Sequence, residues 1–204
     1  MEFVLKNKIK NSDISCLKSI GANNVIIDCV FVGENIVIDN NCTLRNCIIK
    51  EGTYITDSYL DNCVVGKDTK IGPFSRIRPF TQIGDNCKIG NFVEIKNSKI
   101  GSGTKVSHLA YIGDAIVGNN VNIGCGVVVC NYDGIDKNVT LIGDNSFVGS
   151  NVNLIAPLKI ANDSYICAGS TVTKNTSNGD FVIGRVKSQS NPNHLYYLKN
   201  KIKK

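Results

Sequence analysis

Two histidines occur in a chain of 204 residues, and one of them, His108, stands where chemistry can use it. Imidazole ordinarily titrates at about 6.5 and so can accept a proton at neutral pH; beside an amine it suits general-base work. His108 also opens a column. His108, Cys125, Ser150 and Ala168 each lie two residues after an aliphatic marker of a six-residue beat, in every third hexapeptide. Beyond the histidine this column holds only small side chains, which leave backbone groups open to a long thin ligand. At about 4.8 Å per stacked strand it spans roughly 14 Å, the reach of a pantetheine arm. Tight corners also favour small residues, so the column by itself leaves both readings open. Arg78 and Lys96 make a second column, each one residue after a marker and eighteen residues apart. Two cations one coil apart repel, and an anion such as phosphate between them relieves the conflict; two solvated surface cations are the plainer alternative.

The elements that must position these residues follow from the beat. Its markers are clearest from Val65 through Ile71, Ile77, Ile83, Ile89, Ile95, Ile100, Val106, Ile112 and Val117 to Ile123, and resume from Ile142 to Val172. A looser stretch precedes them, with Ile20, Ile26, Val32, Ile38, Leu44, Ile49, Ile55 and Leu60. This is the pattern of a hexapeptide-repeat solenoid, an all-β parallel β-helix. Three hexapeptides make one triangular coil, with the marker and a small residue such as Thr69, Ser75, Thr81, Cys87 or Val93 pointing inward. Stacked coils bury that face continuously where one coil cannot. Such helices are usually left-handed, against the common right-handed crossover, and the beat does not itself set the hand.

The beat divides the chain into a short N-terminal cap at 1–19, a β-helix at 20–173 and a basic C-terminal extension at 174–204. One interruption stands out: Ile123 and Ile142 are nineteen residues apart where two steps need twelve. The excess falls near 130–138, in the turn-rich run Cys130-Asn131-Tyr132-Asp133-Gly134, which must leave the coil as a loop. A polar loop on a rigid scaffold is a good carrier of function.

Composition bounds the rest. With 42% hydrophobic residues the chain can fill a continuous core. The start, MEFVLKNKIK, has an apolar run far short of a signal-peptide core or a membrane span, so a cytoplasmic protein without membrane partners is expected. Nine cysteines, an odd number with no CxxC pair, read as reduced structural thiols. The net charge of +6 belongs wholly to residues 185–204, which carry six basic and no acidic residues; the remainder is neutral, which gives no ground for a nucleic-acid partner. The basic end either steers an anionic ligand or is a solvated terminus.

The ordered runs Gly72-Pro73-Phe74-Ser75-Arg76-Ile77-Arg78-Pro79, Gly90-Asn91-Phe92-Val93-Glu94-Ile95-Lys96, His108-Leu109-Ala110-Tyr111-Ile112-Gly113-Asp114, Val121-Asn122-Ile123-Gly124 and Cys130-Asn131-Tyr132-Asp133-Gly134 resemble a known family. It is the acetyltransferase half of the bifunctional N-acetylglucosamine-1-phosphate uridyltransferase/glucosamine-1-phosphate N-acetyltransferase. The resemblance covers about residues 20–186. It implies a left-handed β-helix trimer whose sites lie between subunits, with acetyl-coenzyme A as donor and glucosamine 1-phosphate as acceptor. By matching motif, it makes His108 the general base. Arg78, Lys96, Tyr111, Asn122 and Lys137 would hold the sugar phosphate, and Cys125, Asn131, Tyr132, Ser150, Ala168 and Arg185 the acetyl-coenzyme A. No metal is implied. The uridyltransferase half has no counterpart in the short cap, so uridyl transfer is not expected. Phe80 stands where the family usually has Gly, Asn97 where Lys is common, and Cys125 where Ala is usual. The first two border the phosphate corner, so another amino sugar or a nucleotide sugar is the alternative acceptor, and a non-catalytic sugar-nucleotide-binding β-helix is a further reading. A β-helix zinc enzyme needs three histidine ligands, and the chain has two histidines.

Overall fold

The computed structural model describes residues 6–190; the first five residues of the expected cap and residues 191–204 of the basic extension lie outside the described residues. Among the described residues twenty-six short strands, joined by turns and parallel in every ladder between them, stack as a left-handed β-solenoid of about ten turns. Among the described residues no helix is long and apolar enough to cross a membrane.

Each coil presents three faces. Tyr54–Ile55, Lys70–Ile71, Asn122–Ile123, Phe147–Val148 and Tyr165–Ile166 lie on the first; Thr43–Arg45, Tyr59–Asp61 and Arg76–Ile77 on the second; Cys63–Val65, Thr81–Ile83, Ala115–Val117 and Thr140–Ile142 on the third. The markers from Val65 to Val172 all point inward and are buried, as are the small partners Thr69, Ser75, Thr81, Cys87 and Val93. In the early coils the beat misleads once: Phe31, rather than Val32, stacks on Ile49 and packs against the core, while Val32 is exposed. A one-residue slip moves a strand's side chains to the opposite face, and the five-residue step from Ile26 to Phe31 produces that slip.

The ladder also runs past both expected boundaries. Lys8–Lys10 pairs with Val25–Ile27 and Leu17–Ile20 with Ile36–Ile38, inside the segment taken as a cap; at the other end Phe181–Val182 pairs with Tyr165–Ile166. These end strands are mostly exposed, so they lack the buried aliphatic alternation by which the beat is recognised.

Corners are turned by residues in the left-handed region, most of them Asn or Asp, such as Asn41, Asp57, Asn86 and Asn120. Their short polar side chains make that conformation accessible to a non-glycine residue. Side chains also join coil to coil there: Asn23 donates to Asn41 and Asn41 to Asp57. All nine cysteines are free thiols, six of them buried. Burial pushes the Cys42 thiol up to about 11, consistent with an inert core residue.

Candidate active site

His108 sits at the corner between the first two faces. Two nine-residue strands, Lys88–Lys96 and Lys105–Gly113, pass round this corner without a break, with Asn91 paired to His108. The His108 ring is exposed, and its Nδ1 lies 3.0 Å from Asn91 Oδ1. An amide oxygen can only accept, so this contact puts the Nδ1 proton on the Asn91 side and leaves Nε2 free to accept a proton.

The cations gather at the next corner. Arg78 N–H bonds the carbonyl of Ile95, so Arg78 stacks directly on Lys96. Each cation already has a carboxylate partner: Arg78 Nη1 is 2.8 Å from Glu94 and Lys96 Nζ is 3.4 Å from Asp114. The repulsion expected between them is thus partly relieved within the chain. Lys137 adds a third cation beside Lys96, and it has no ion-pair partner among the described residues. Lys96 beside it holds the Lys137 ammonium below the usual lysine value. Burial opposes charge on Lys96, while the Asp114 carboxylate beside it supports that charge, and its pKa is raised. Three cations against two carboxylates leave a net positive corner. Tyr111 leans toward it, lying so close over Gly113 that a Cβ there would meet Tyr111 Oη at 2.4 Å.

Asp114 anchors the inserted loop. Its buried carboxylate accepts from Asn97 Nδ2 at 2.6 Å, from Lys96 and from Asn131 Nδ2. Burial would raise its pKa, yet those hydrogen bonds and the Lys96 charge hold it below the usual carboxylate range. Beyond Asn131 the loop closes on itself: Tyr132 bridges to Lys137, Asp133 accepts the N–H groups of Ile135 and Asp136, and Asn138 N–H bonds Asn131 at 2.6 Å. The insertion is visible in the ladder, where Ala115 pairs with Thr140, twenty-five residues on, and Thr140 with Leu158, eighteen on.

Above His108 the small-residue column stacks as expected. Asn151 N–H bonds Cys125 and Gly169 N–H bonds Ser150, which sets Cys125, Ser150 and Ala168 one over another, all exposed. Neighbouring coils meet so closely that a Cβ on Gly149 would come 2.5 Å from Ala168 N. Among the described residues, the N–H groups of Cys125, Ser150 and Ala168 have no protein acceptor; they remain available to a ligand. Arg185 lies at the top, its Cδ 3.4 Å from where a Cβ on Gly169 would stand.

The fold therefore assembles three groups: His108 with Asn91; Arg78, Lys96, Lys137 and Tyr111; and Cys125, Ser150, Ala168 and Arg185. It does not unite the first two. Lys96 stands five residues beyond the Asn91–His108 pair along the strand, roughly 15 Å of backbone. Asn122 is also apart from the cations, half-buried on the first face between Lys105 and Phe147. Of the loop residues, Tyr132 is exposed with its hydroxyl on the Gly134 carbonyl, whereas Asn131 is buried against Asp114. Sequence reasoning places Asn97 beside the phosphate corner but gives no role to it or to Asn91, Glu94 and Asp114. Their signal was position: Asn91 is one short coil before His108, and Asp114 one coil after Asn97.

A sequence profile described as the GMPPB C-terminal domain matches residues 9–81 and 61–182. Curated relatives include the Bifunctional protein GlmU of Marinobacter nauticus, 45% identical over 172 residues, or 84% of this chain and 38% of that protein. The Bifunctional protein GlmU of Clostridium novyi is 49% identical over 164 residues, 80% of this chain and 36% of that protein. The chain thus spans less than two fifths of the length of these relatives. Among solved structures, the UDP-N-acetylglucosamine acyltransferase LpxA of Bacteroides fragilis superposes with a TM-score of 0.55 at 19% identity, over 86% of this chain and 68% of that one. The GDP-perosamine N-acetyltransferase of Caulobacter crescentus, in complex with CoA and GDP-perosamine, gives 0.50 at 19% identity, over 59% of this chain and 57% of that one. At that identity the two structures speak for the fold.

Proposed function

Because the chain belongs to the GMPPB C-terminal domain family and is nearly half identical to GlmU proteins across its β-helix, we propose that it is an N-acetyltransferase. It moves acetyl from acetyl-coenzyme A to the amine of glucosamine 1-phosphate. The observation that carries this reading is the row of unpaired N–H groups at Cys125, Ser150 and Ala168 ending at a histidine whose second nitrogen is held by Asn91. A pantetheine arm laid along that row delivers its thioester to His108, with Arg185 at the far end for the phosphates.

In the reaction the acceptor nitrogen attacks the thioester carbonyl while His108 Nε2 takes its proton. Backbone N–H groups near the corner stabilise the oxyanion. The intermediate collapses, the C–S bond breaks, and the imidazolium returns its proton to the departing thiolate. The acceptor's phosphate rests on Arg78, Lys96 and Lys137, oriented by Tyr111 and Asn122. No step calls for a metal.

The base and the cation corner stand five residues apart along the strand, and in our reading the working site joins the His108 corner of one subunit to the cation corner of the next. A homotrimer of parallel helices does this three times. Nine free thiols fit a reducing compartment, the cytoplasm.

Thiol release from acetyl-coenzyme A with a panel of amino sugars tests the reading. Glucosamine 1-phosphate is expected to be acetylated and free glucosamine to be used far less well. Absence of thiol release with the phosphate removes the proposed activity, and equal use of both sugars removes the phosphate corner.

A further inference from the structure

Four bulky residues, Phe74, Phe80, Phe92 and Leu109, hold the backbone in the left-handed region, with φ of 60°, 65°, 58° and 38°. That conformation is costly for a side chain larger than Asn. Phe74 and Phe92 stack on each other with ring centroids 5.6 Å apart. Phe80 has no ring partner among the described residues, and it is 72% exposed. A glycine would sit there unstrained, yet a ring stands there, largely exposed and without an aromatic partner among the described residues.

What it overlooks is a cleft of about 470 Å³ lined by Phe80, Lys99, Asp114, Ile116, Lys137 and Val139, among others. That volume falls in the range of small-molecule sites. Lys137 belongs both to this cleft and to the cation corner, so the two form one continuous surface. Lys99 and Lys137 have no carboxylate partner among the described residues, whereas Asp114 is already committed to Lys96 and Asn97. A ligand leaving the corner therefore meets two ammonium groups and then an open aromatic face flanked by the half-exposed Ile116 and Val139. A bare sugar phosphate has no part to fill that wall. A nucleoside diphosphate has both: a second phosphate for Lys99 and Lys137, and a flat base for the ring of Phe80.

We propose that the Phe80 cleft is a nucleoside diphosphate subsite, which lets the acceptor site take a nucleoside-diphosphate amino sugar as well as the sugar 1-phosphate. The acetylation of that acceptor rests on the acetyltransferase reading; the subsite does not.

Two measurements on the full chain separate them. UDP, titrated calorimetrically, is expected to bind. Phe80→Gly should weaken it by about 10-fold, the scale of one base–aromatic stack, Phe80→Tyr should preserve it, and Lys99→Ala should weaken it as well. UDP-glucosamine should be acetylated with a kcat/KM at least equal to that of glucosamine 1-phosphate. Phe80→Gly should lower only the former by about 10-fold, leaving the latter within about 3-fold. No UDP binding, or binding untouched by Phe80→Gly, overturns the subsite even where glucosamine 1-phosphate is turned over. UDP binding lost with the ring while neither sugar is acetylated supports the subsite and overturns the acetyl-transfer reading instead.

Discussion

Behind the His108 imidazole stands a neutral amide, where the serine-protease arrangement has a carboxylate. Asn91 Oδ1, 3.0 Å from Nδ1, fixes the tautomer without adding a negative charge to favour the imidazolium. Replacing His108 by Ala should lower kcat by roughly 100-fold or more, a general-base contribution, with coenzyme A binding intact. Asn91→Ala should lower kcat on the order of 10-fold, as loss of a histidine's orienting partner does elsewhere, while both KM values hold. In Asn91→Asp the new carboxylate stabilises the imidazolium, so the acidic limb of the kcat/KM profile should move to higher pH. An Asn91→Ala enzyme as fast as the parent, with an unmoved profile in Asn91→Asp, would show the contact to be incidental. His108 was legible in the sequence because histidine is rare here and the beat put it at a corner. Asn91 was not, because asparagine is this fold's ordinary corner residue and nothing in its type separates an orienting amide from a turn.

At the level of elements, spacing carried most of the information and side-chain direction the rest. The insertion was legible as an excess of residues between Ile123 and Ile142, but its anchoring was not: that depends on Asn97, Lys96 and Asn131 converging on one carboxylate from three separate segments. The Asp114 pKa is depressed in the folded chain, so its contribution to stability is full above the unfolded value of about 3.9. It fades as pH falls through the lower folded value. Melting curves of the parent and Asp114→Asn should therefore differ by a constant amount above about pH 5 and converge in stronger acid; a gap that persists unchanged into acid removes Asp114 as the charged anchor. The donor column admits its own element-scale check. Ala168 is exposed on a corner, so Ala168→Trp should leave folding intact, block a ligand threaded past Ser150, and abolish measurable acetyl-coenzyme A binding with little change for the acceptor. Unchanged coenzyme A affinity by calorimetry would place the donor elsewhere.

For the whole molecule the decisive fact is the separation of base and cations along one strand. The sequence showed two corners; their spacing comes from the ladder, with Asn91 opposite His108 and Lys96, five residues on, opposite Gly113. If each working site takes His108 from one subunit and Lys96 from its neighbour, two impaired variants must rescue each other. His108→Ala trimers lack the base at every site, and Lys96→Ala trimers bind acceptor poorly at every site when it is kept well below the parent's KM. After the two are unfolded together in equal amounts and refolded, random assembly gives about a quarter of the sites an intact His108 facing an intact Lys96, by the head-to-tail geometry of a closed ring. Activity at limiting acceptor should then return to about a quarter of the parent's, while the variants refolded separately and then mixed stay near zero. A site contained within one chain allows no such rescue, because every chain in the mixture carries one defect. Refolded mixtures no more active than the separate variants, with trimers verified by light scattering, would return the site to a single subunit and require the His108 and Lys96 corners to be bridged by a longer acceptor.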